Sequence, residues 1–337
     1  MHFLITGHTG FKGSWLTLLL RERGHTVSGI SLEPAVDSLF IRANIAKLLY
    51  SDIRCDVRDL GKICKYFKGI NPDVVVHLAA QALVRESYRD PISTFSTNVM
   101  GTLNIIKASQ ELQDLKAQLI ITTDKVYDNV NKKVGYTESD PLGGLDPYSA
   151  SKAMADLATQ AWLKSFDVPP TAIARAGNVV GGGDICLDRL IPDLMRSYSS
   201  GLTPKLRAPN SIRPWQHVLD CLNGYLILID QLVEKKVDGV WNFGPRENQN
   251  KSVSDVANLA GKLWGVERCW ESDLEKHPYE APVLVLNSDK ARSHLGWTDK
   301  LNFAESIRWT VDWYKNVLNG SDPLVESREN IVAFEDM

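Results

Sequence analysis

Along the first half of the chain, brief apolar runs alternate with longer stretches of mixed character. His2-Phe-Leu-Ile-Thr6, Thr26–Ser31, Val74-Val-Val-His-Leu-Ala-Ala80, Gln118-Leu-Ile-Ile-Thr122 and Thr171–Ala174 lack the polar alternation of a half-exposed strand, so they read as strands covered on both faces. Between them, Ser14–Arg23 with Gly24 as its stop, Phe95–Gln110 and Tyr148–Ser165 read as helices. On the last of these, Ala155, Leu157, Ala158, Trp162 and Leu163 cover much of the girth, which predicts burial against the sheet and against a second subunit. Strand and helix in turn predict an α/β fold on a doubly wound parallel sheet. The pattern loosens after Arg175-Ala-Gly-Asn-Val-Val-Gly-Gly-Gly-Asp184. A first domain is expected over residues 1–178, with segments near 212–244 returning to it, and a smaller mixed C-terminal lobe mainly over 179–330, interleaved with the first. Trp241–Gly244 reads as a late strand and Ala304–Leu318 as a closing amphipathic helix, while Trp264, Trp270, Trp297 and Trp313 read as core.

The first strand runs directly into Gly7-His-Thr-Gly10-Phe-Lys-Gly13. Glycines at this spacing allow a tight turn and close approach of a pyrophosphate, while the following helix N-terminus offers unpaired N–H groups. Strand, glycine turn, helix and second strand in this order predict a Rossmann domain that holds a dinucleotide. The expected cofactor contacts in the loop are Gly7, Gly10, Phe11 and Gly13. Ser31 stands at the end of the second strand, where an acid commonly takes the ribose hydroxyls, and Glu33 two residues on is either its substitute or a solvated loop acid. With no Arg or Lys before Arg42 to receive a 2′-phosphate, NAD is expected in preference to NADP. Asp56, beside Val57, suits either an adenine amine or a helix N-cap. Leu78, Ala79 and Ala80 end a strand in small residues that let a cofactor lie close, Asn98 is expected against the cofactor side, and His77 is expected to make a core hydrogen bond.

The candidate chemistry lies between Thr122 and Lys152. Thr123, Asp124 and Lys125 should sit at a strand's carboxyl end, where open α/β sheets bind ligands. Tyr148 and Lys152, four apart on a helix, should share a face. A free phenol titrates near ~10, and a neighbouring ammonium lowers that value toward the range of a working base. A Tyr four residues before a Lys is common on any helix, so the pair gains meaning only from the glycine loop upstream.

Composition narrows the partners. The chain has 337 residues, 44% of them apolar and 23% charged, with a formal net charge of −3, so no global field favours nucleic acid or an anionic membrane. Five scattered cysteines without a C-x-x-C suit a reducing, cytoplasmic setting and give no zinc site; no metal is expected. There is no signal-peptide pattern and no membrane-length apolar run. In the second half, Asp188-Arg189-Leu190, Arg207 and Arg213-Pro-Trp-Gln-His-Val218 offer cations pinned by rigid or bulky neighbours, suited to a diphosphate or to ordinary salt bridges. His277-Pro-Tyr-Glu280-Ala281 reads as a loop.

With these motifs in order, the chain resembles the extended short-chain dehydrogenase/reductases. Thr6–Gly13, Ala79-Ala-Gln-Ala-Leu-Val-Arg85, Thr97-Asn-Val-Met-Gly-Thr102 and Asp146-Pro-Tyr-Ser-Ala-Ser-Lys152 are similar to the sugar-nucleotide dehydratases. Asp124-Lys125, Arg175–Asp184 and Ile212-Arg-Pro-Trp-Gln-His-Val-Leu219 narrow the likeness to the CDP-glucose 4,6-dehydratase group. The resemblance implies a nucleotide-sugar substrate, NAD, and a homodimer or higher homo-oligomer. It implies that Tyr148 takes the sugar 4-hydroxyl proton with Lys152 and Thr123 in support, also placing Tyr148 and Lys152 at the cofactor, and that Asp124 protonates the departing 6-hydroxyl. Lys125 stands where related dTDP-glucose enzymes carry a Glu; it is the C5 base, or it stabilises the enolate while Tyr148 or water takes the proton. Arg85, Ser87, Asn178, Arg189, Leu190, Arg207, Arg213 and Glu280 are the implied substrate contacts. A nucleotide-sugar 4-epimerase or reductase, and a non-catalytic NAD(P)-sensing protein, remain the alternatives.

Overall fold

The computed structural model describes the chain except for residues 133, 276, 278 and 279; Pro278 and Tyr279 of the expected 277–281 loop therefore lie outside the described residues. Seven strands form the main sheet: β1 (His2–Thr6), β2 (Thr26–Ser31), β3 (Ser51–Arg54), β4 (Val74–His77), β5 (Ala117–Thr123), β6 (Thr171–Ala176) and β7 (Gly239–Phe243). Their order is β7-β6-β5-β4-β1-β2-β3, every neighbour parallel. Successive residues of a strand face opposite sides, so the covered sheet needs two cores. Phe3, Ile5, Val74 and Val76 enter one cluster with Trp15, Leu19, Leu222 and Ile229, whereas Leu4 and Val75 enter the other with Ile63, Phe67 and Ile105.

The covering helices are α1 (Phe11–Glu22), α2 (Leu60–Ile70), α3 (Gly101–Gln110), α4 (Pro147–Ser165) and, from the second half of the chain, α6 (Val218–Val233). α1 starts three residues earlier than its polar pattern suggests, because extended Gly10 acts as its N-cap. The expected 95–110 helix is interrupted: Pro91–Phe95 is followed by a wide π turn over Ser96–Met100 before α3 begins. The irregularity turns Asn98 inward, and such turns often mark functional sites. α6 had no signal in the sequence pattern, since it is apolar on nearly every side and buries Leu219, Leu222, Tyr225 and Ile229.

A third core, away from the sheet, packs α5 (Leu190–Ser199), α7 (Val253–Trp264) and α8 (Phe303–Leu318) around Leu194, Met195, Trp215, Val256, Ile307 and Val311. Trp297 and Trp313 are fully buried, while Trp264 and Trp270 are partly buried against this third cluster. α8 does not close the chain. A further helix, α9 (Pro323–Glu335), follows and packs Ile331 and Phe334 into the first core. β7 lies beside β6, so the main sheet receives a strand from beyond residue 178. Among the described residues no helix is long and apolar enough to cross a membrane.

Candidate active site

β1 and β4 are adjacent, yet their following helices cover opposite faces, and a crevice opens where the topology switches. A cleft of about 1140 Å³ runs along these strand ends. Gly7 turns the chain at φ +78°, and a Cβ there would lie 2.7 Å from Ala79 N. A Cβ on Gly13 would meet Gly7 O at 2.2 Å, so the loop folds onto the first turn of α1 with no space for a side chain. That turn has no side-chain cap, leaving backbone donors for a ligand. This cradle fits a dinucleotide. Gly7, Gly10, Phe11, Gly13, Ser31, Asp56, Val57, Leu78, Ala79 and Ala80 all line the cleft.

Details differ from the sequence expectation. The Ser31 hydroxyl is 2.7 Å from Thr9 Oγ1, and Glu33 is a surface acid paired with Arg54. Register places Arg54, the end of β3, next to Ser31, a cation that linear order hid. Its guanidinium is gripped by Asp52, with one Nη2–Oδ2 contact at 2.9 Å. Asp56 is not a helix N-cap; it chelates Arg58, which holds its carboxyl below the usual range, and Asp59 caps α2. Asn98 does not line the cleft. It is buried, accepting from Gln81 N at 2.9 Å and donating to Gln81 O and Ser151 Oγ, so it fixes the loop that does. Buried His77 lies between Thr6 Oγ1 at 2.7 Å and Thr102 Oγ1 at 3.0 Å, and burial pushes its pKa down to about 3.

At the centre, β5 ends at Thr123 and a single 3₁₀ turn, Asp124–Val126, follows. α4 starts opposite, capped by Asp146, which accepts from Ser149 N at 2.9 Å. The two elements bring Thr123, Asp124, Lys125, Tyr148 and Lys152 to one wall of the cleft. The Thr123 hydroxyl lies between Asp124 Oδ1, 2.9 Å away, and the Tyr148 phenol. Asp124 is 2% exposed and its Oδ2 has no protein partner. Burial raises its pKa against the pull of Lys125, Thr123, Arg213 and Lys12. Burial thereby shifts the balance toward the protonated form, whose proton on Oδ2 would be free to donate.

Tyr148 departs from expectation. Burial pushes its pKa up to about 12, while Thr123 and Arg189 pull it down. Lys152 shares the helix face but reaches beneath β5, donating to Ile121 O at 2.7 Å. Its own pKa falls to about 8 through burial, with Asp156 opposing the fall and Lys12 adding to it. Lys12, in the glycine loop, lines the same cleft and escaped the sequence reading.

On the opposite wall, Asn178, Arg189, Leu190, Arg207, Arg213, Arg85 and Glu280 line the cleft. Arg189 Nη1 donates to Asp184 Oδ2 at 2.9 Å, and Arg213, 7% exposed, donates to Ile212 O at 2.8 Å. Arg85 and Arg207 converge on Asp188, at 3.0 and 3.3 Å, and Arg207 also faces Glu280 at 3.5 Å. Asp188 (φ +63°) and His277, 2.9 Å from Arg85, are part of this network, a role that the sequence segments containing them did not suggest. Ser87 is turned away: its hydroxyl donates to Val84 O at 2.6 Å inside a helical turn and does not line the cleft.

Two half-sites thus share one cavity, one shaped for a dinucleotide and one rich in arginine. The profile of the GDP-mannose 4,6 dehydratase family matches residues 4–310. The chain belongs to that family. It is 43% identical to CDP-glucose 4,6-dehydratase from Salmonella typhimurium (strain LT2), across 97% of this chain and 94% of that protein. UDP-glucose 4-epimerase from Thermus thermophilus, solved with NAD, superposes with a TM-score of 0.82 at 26% identity, covering 94% of this chain and 99% of that one. DesIV, a dTDP-glucose 4,6-dehydratase from Streptomyces venezuelae, shares the fold, with a TM-score of 0.81 at 23% identity and coverage of 96% and 100%.

Proposed function

We propose that this member of the family is an NAD-dependent hydro-lyase that converts CDP-glucose to CDP-4-keto-6-deoxyglucose. The observation that carries the reading is the Asp124 carboxyl, buried, inclined to hold its proton and linked through Thr123 to Tyr148. A 4-epimerase would use Tyr148 and Lys152 but has no role for a buried acid at position 124. The choice of CDP-glucose rests on the 43% identity to the Salmonella enzyme.

Bound NAD supplies the hydride acceptor at C4 and the hydride donor at C6. Tyr148 takes the proton of the 4-hydroxyl; a phenol held at about 12 needs positive charge nearby, which Arg189 supplies across the cleft and Lys152 on the same helix face can add. Thr123 orients the same oxygen. Once C4 is a ketone, the C5 proton is acidic, and Lys125 takes it or stabilises the resulting enolate. Asp124 Oδ2 gives its proton to the leaving 6-hydroxyl, which departs as water. Arg189, Arg207, Arg213 and Asn178 hold the diphosphate and Arg85 and Glu280 close on the sugar side, after Asp188 yields its place between the arginines.

Exposed Ile92, Met100, Met154 and Leu157 lie on the 91–110 helices and α4, and they support assembly as a homodimer through these elements. Free cysteines at 55, 64, 186, 221 and 269 suit a reducing, cytoplasmic setting. Incubation with CDP-, dTDP- and GDP-hexoses tests the function through the alkaline absorbance of a 4-keto product. CDP-glucose should be turned over with a kcat/KM at least ~10-fold above the others, a difference of about 1.4 kcal/mol. A 4-epimer as product, or no 4-keto sugar from any donor, defeats the proposal.

A further inference from the structure

Behind the catalytic wall lies an ion pair with no contact to the cleft. Asp156 is fully buried on α4, one helical turn beyond Lys152, and Arg175, 1% exposed, is on β6. The contact is bidentate: Arg175 Nε and Nη2 donate to Oδ2 and Oδ1 of Asp156, each at 2.8 Å. Thr122 Oγ1 donates to Asp156 Oδ2 at 3.0 Å and Gln160 Nε2 to Oδ1 at 2.7 Å. On its other side Arg175 Nη1 donates to the Tyr127 hydroxyl oxygen at 2.9 Å, with the guanidinium 4.9 Å from the Tyr127 ring centre. Tyr127 in turn donates to Asn242 Oδ1 of β7 at 2.7 Å.

The partners of this pair bracket the active-site residues on both elements. Thr122 directly precedes Thr123 and is the register partner of Arg175. Tyr127 is the residue on which the Asp124–Val126 turn ends. Asp156 sits on the helix that carries Tyr148 and Lys152. A buried ion pair contributes little net stability, because desolvation offsets attraction, and replacement by packed apolar residues is often neutral or stabilising. Fixed geometry is what such a pair supplies, and a displacement of about 1 Å at a reacting group can cost ~10²-fold in rate.

We propose that Arg175 and Asp156 are positioning residues that lock the helix bearing Tyr148 and Lys152 to the strand end and turn bearing Thr123, Asp124 and Lys125. The proposal rests on the dehydratase reading, since it concerns the register between C4 oxidation and C5–C6 elimination. Neither residue touches substrate or cofactor. Each acts by holding the acid of one step and the base of the other at one separation.

The test uses the full chain, with wild type, Arg175→Lys, and the apolar pair Arg175→Met with Asp156→Leu. Measured are melting temperature, kcat, KM for the nucleotide sugar, and reduced nicotinamide by its absorbance during turnover. Arg175→Lys keeps the charge but not the two-point grip. It should lower kcat ~10–100-fold with KM within about twofold, and reduced nicotinamide should accumulate as elimination falls behind oxidation. The apolar pair should melt at or above the wild-type temperature yet show the same loss and accumulation. Wild-type kcat and cofactor partition in the folded apolar pair would overturn the proposal, as would losses in Arg175→Lys that only track its unfolded fraction. A wild-type chain that forms no 4-keto sugar defeats the dehydratase reading instead.

Discussion

Asp124 and Lys152 show how burial sets the chemistry of single groups in opposite directions. Desolvation penalises charge, so it raises the acid and lowers the base. In Asp124→Asn the shape is kept but the proton donor is lost. C4 oxidation should proceed and elimination stall, seen as a stable rise in reduced nicotinamide on mixing with nucleotide sugar; lost turnover with no reduced cofactor would move Asp124 out of the elimination step. Lys152 titrates at about 8 when folded, against ~10.4 in an unfolded chain. Its ammonium is present below that folded value and lost above it, so kcat/KM should fall on the alkaline side with an inflection near the same pH. Folding is opposed by the buried charge below the folded value, and the opposition fades as pH rises toward ~10.4. Lys152→Met should therefore melt a few degrees above wild type at neutral pH, while its residual activity lacks the alkaline limb. A Tm below wild type would show that the bond to Ile121 outweighs the buried charge.

At the scale of elements, the legible parts were those whose signal is local. The apolar runs located β1, β2, β4, β5 and β6 to within a few residues, because a strand covered on both faces needs continuous apolar sequence. Gly7–Gly13 announced its own turn. What stayed hidden depends on neighbours distant in sequence: α6 is apolar on most sides because most of its sides are packed, and Asp188 meets Arg85 only after the chain has folded. The reach of the Lys152 ammonium was hidden for a related reason. Helical spacing places two residues on one face, but the carbonyl of Ile121 on another element decides where the ammonium goes. The glycine loop offers a test at this scale. In Gly13→Ala the new methyl would lie 2.2 Å from Gly7 O, so the loop must lift from the turn that should receive the pyrophosphate. NAD affinity should fall at least ~10-fold by fluorescence titration, a loss of about 1.4 kcal/mol, while nucleoside diphosphate binding in the other half of the cleft stays within about threefold. Equal loss of both ligands would mean that the substitution unfolds the domain.

For the whole molecule, the distribution of exposed apolar groups is uneven in a way that bears on assembly. Met154 and Leu157, three apart on α4 and about half exposed, point away from the sheet that the rest of the helix covers. Ile92 (78% exposed) and Met100 (52% exposed) come from the interrupted helical segment that packs beside α4. Single exposed apolar residues need no explanation, but four on two adjoining elements are what the proposed pairing with a second copy would cover. The same helix carries Tyr148 and Lys152 on its inner side, so a partner on its outer side would stiffen the catalytic wall without entering the cleft. Met154→Glu with Leu157→Glu would place like charges on both sides of a two-fold interface. Sedimentation should then report a monomer where wild type is a dimer, with kcat reduced a few-fold and KM for the nucleotide sugar little changed. A wild-type chain that sediments as a monomer at micromolar concentration, or a double variant that remains dimeric, would place the interface elsewhere and leave those side chains as ordinary surface.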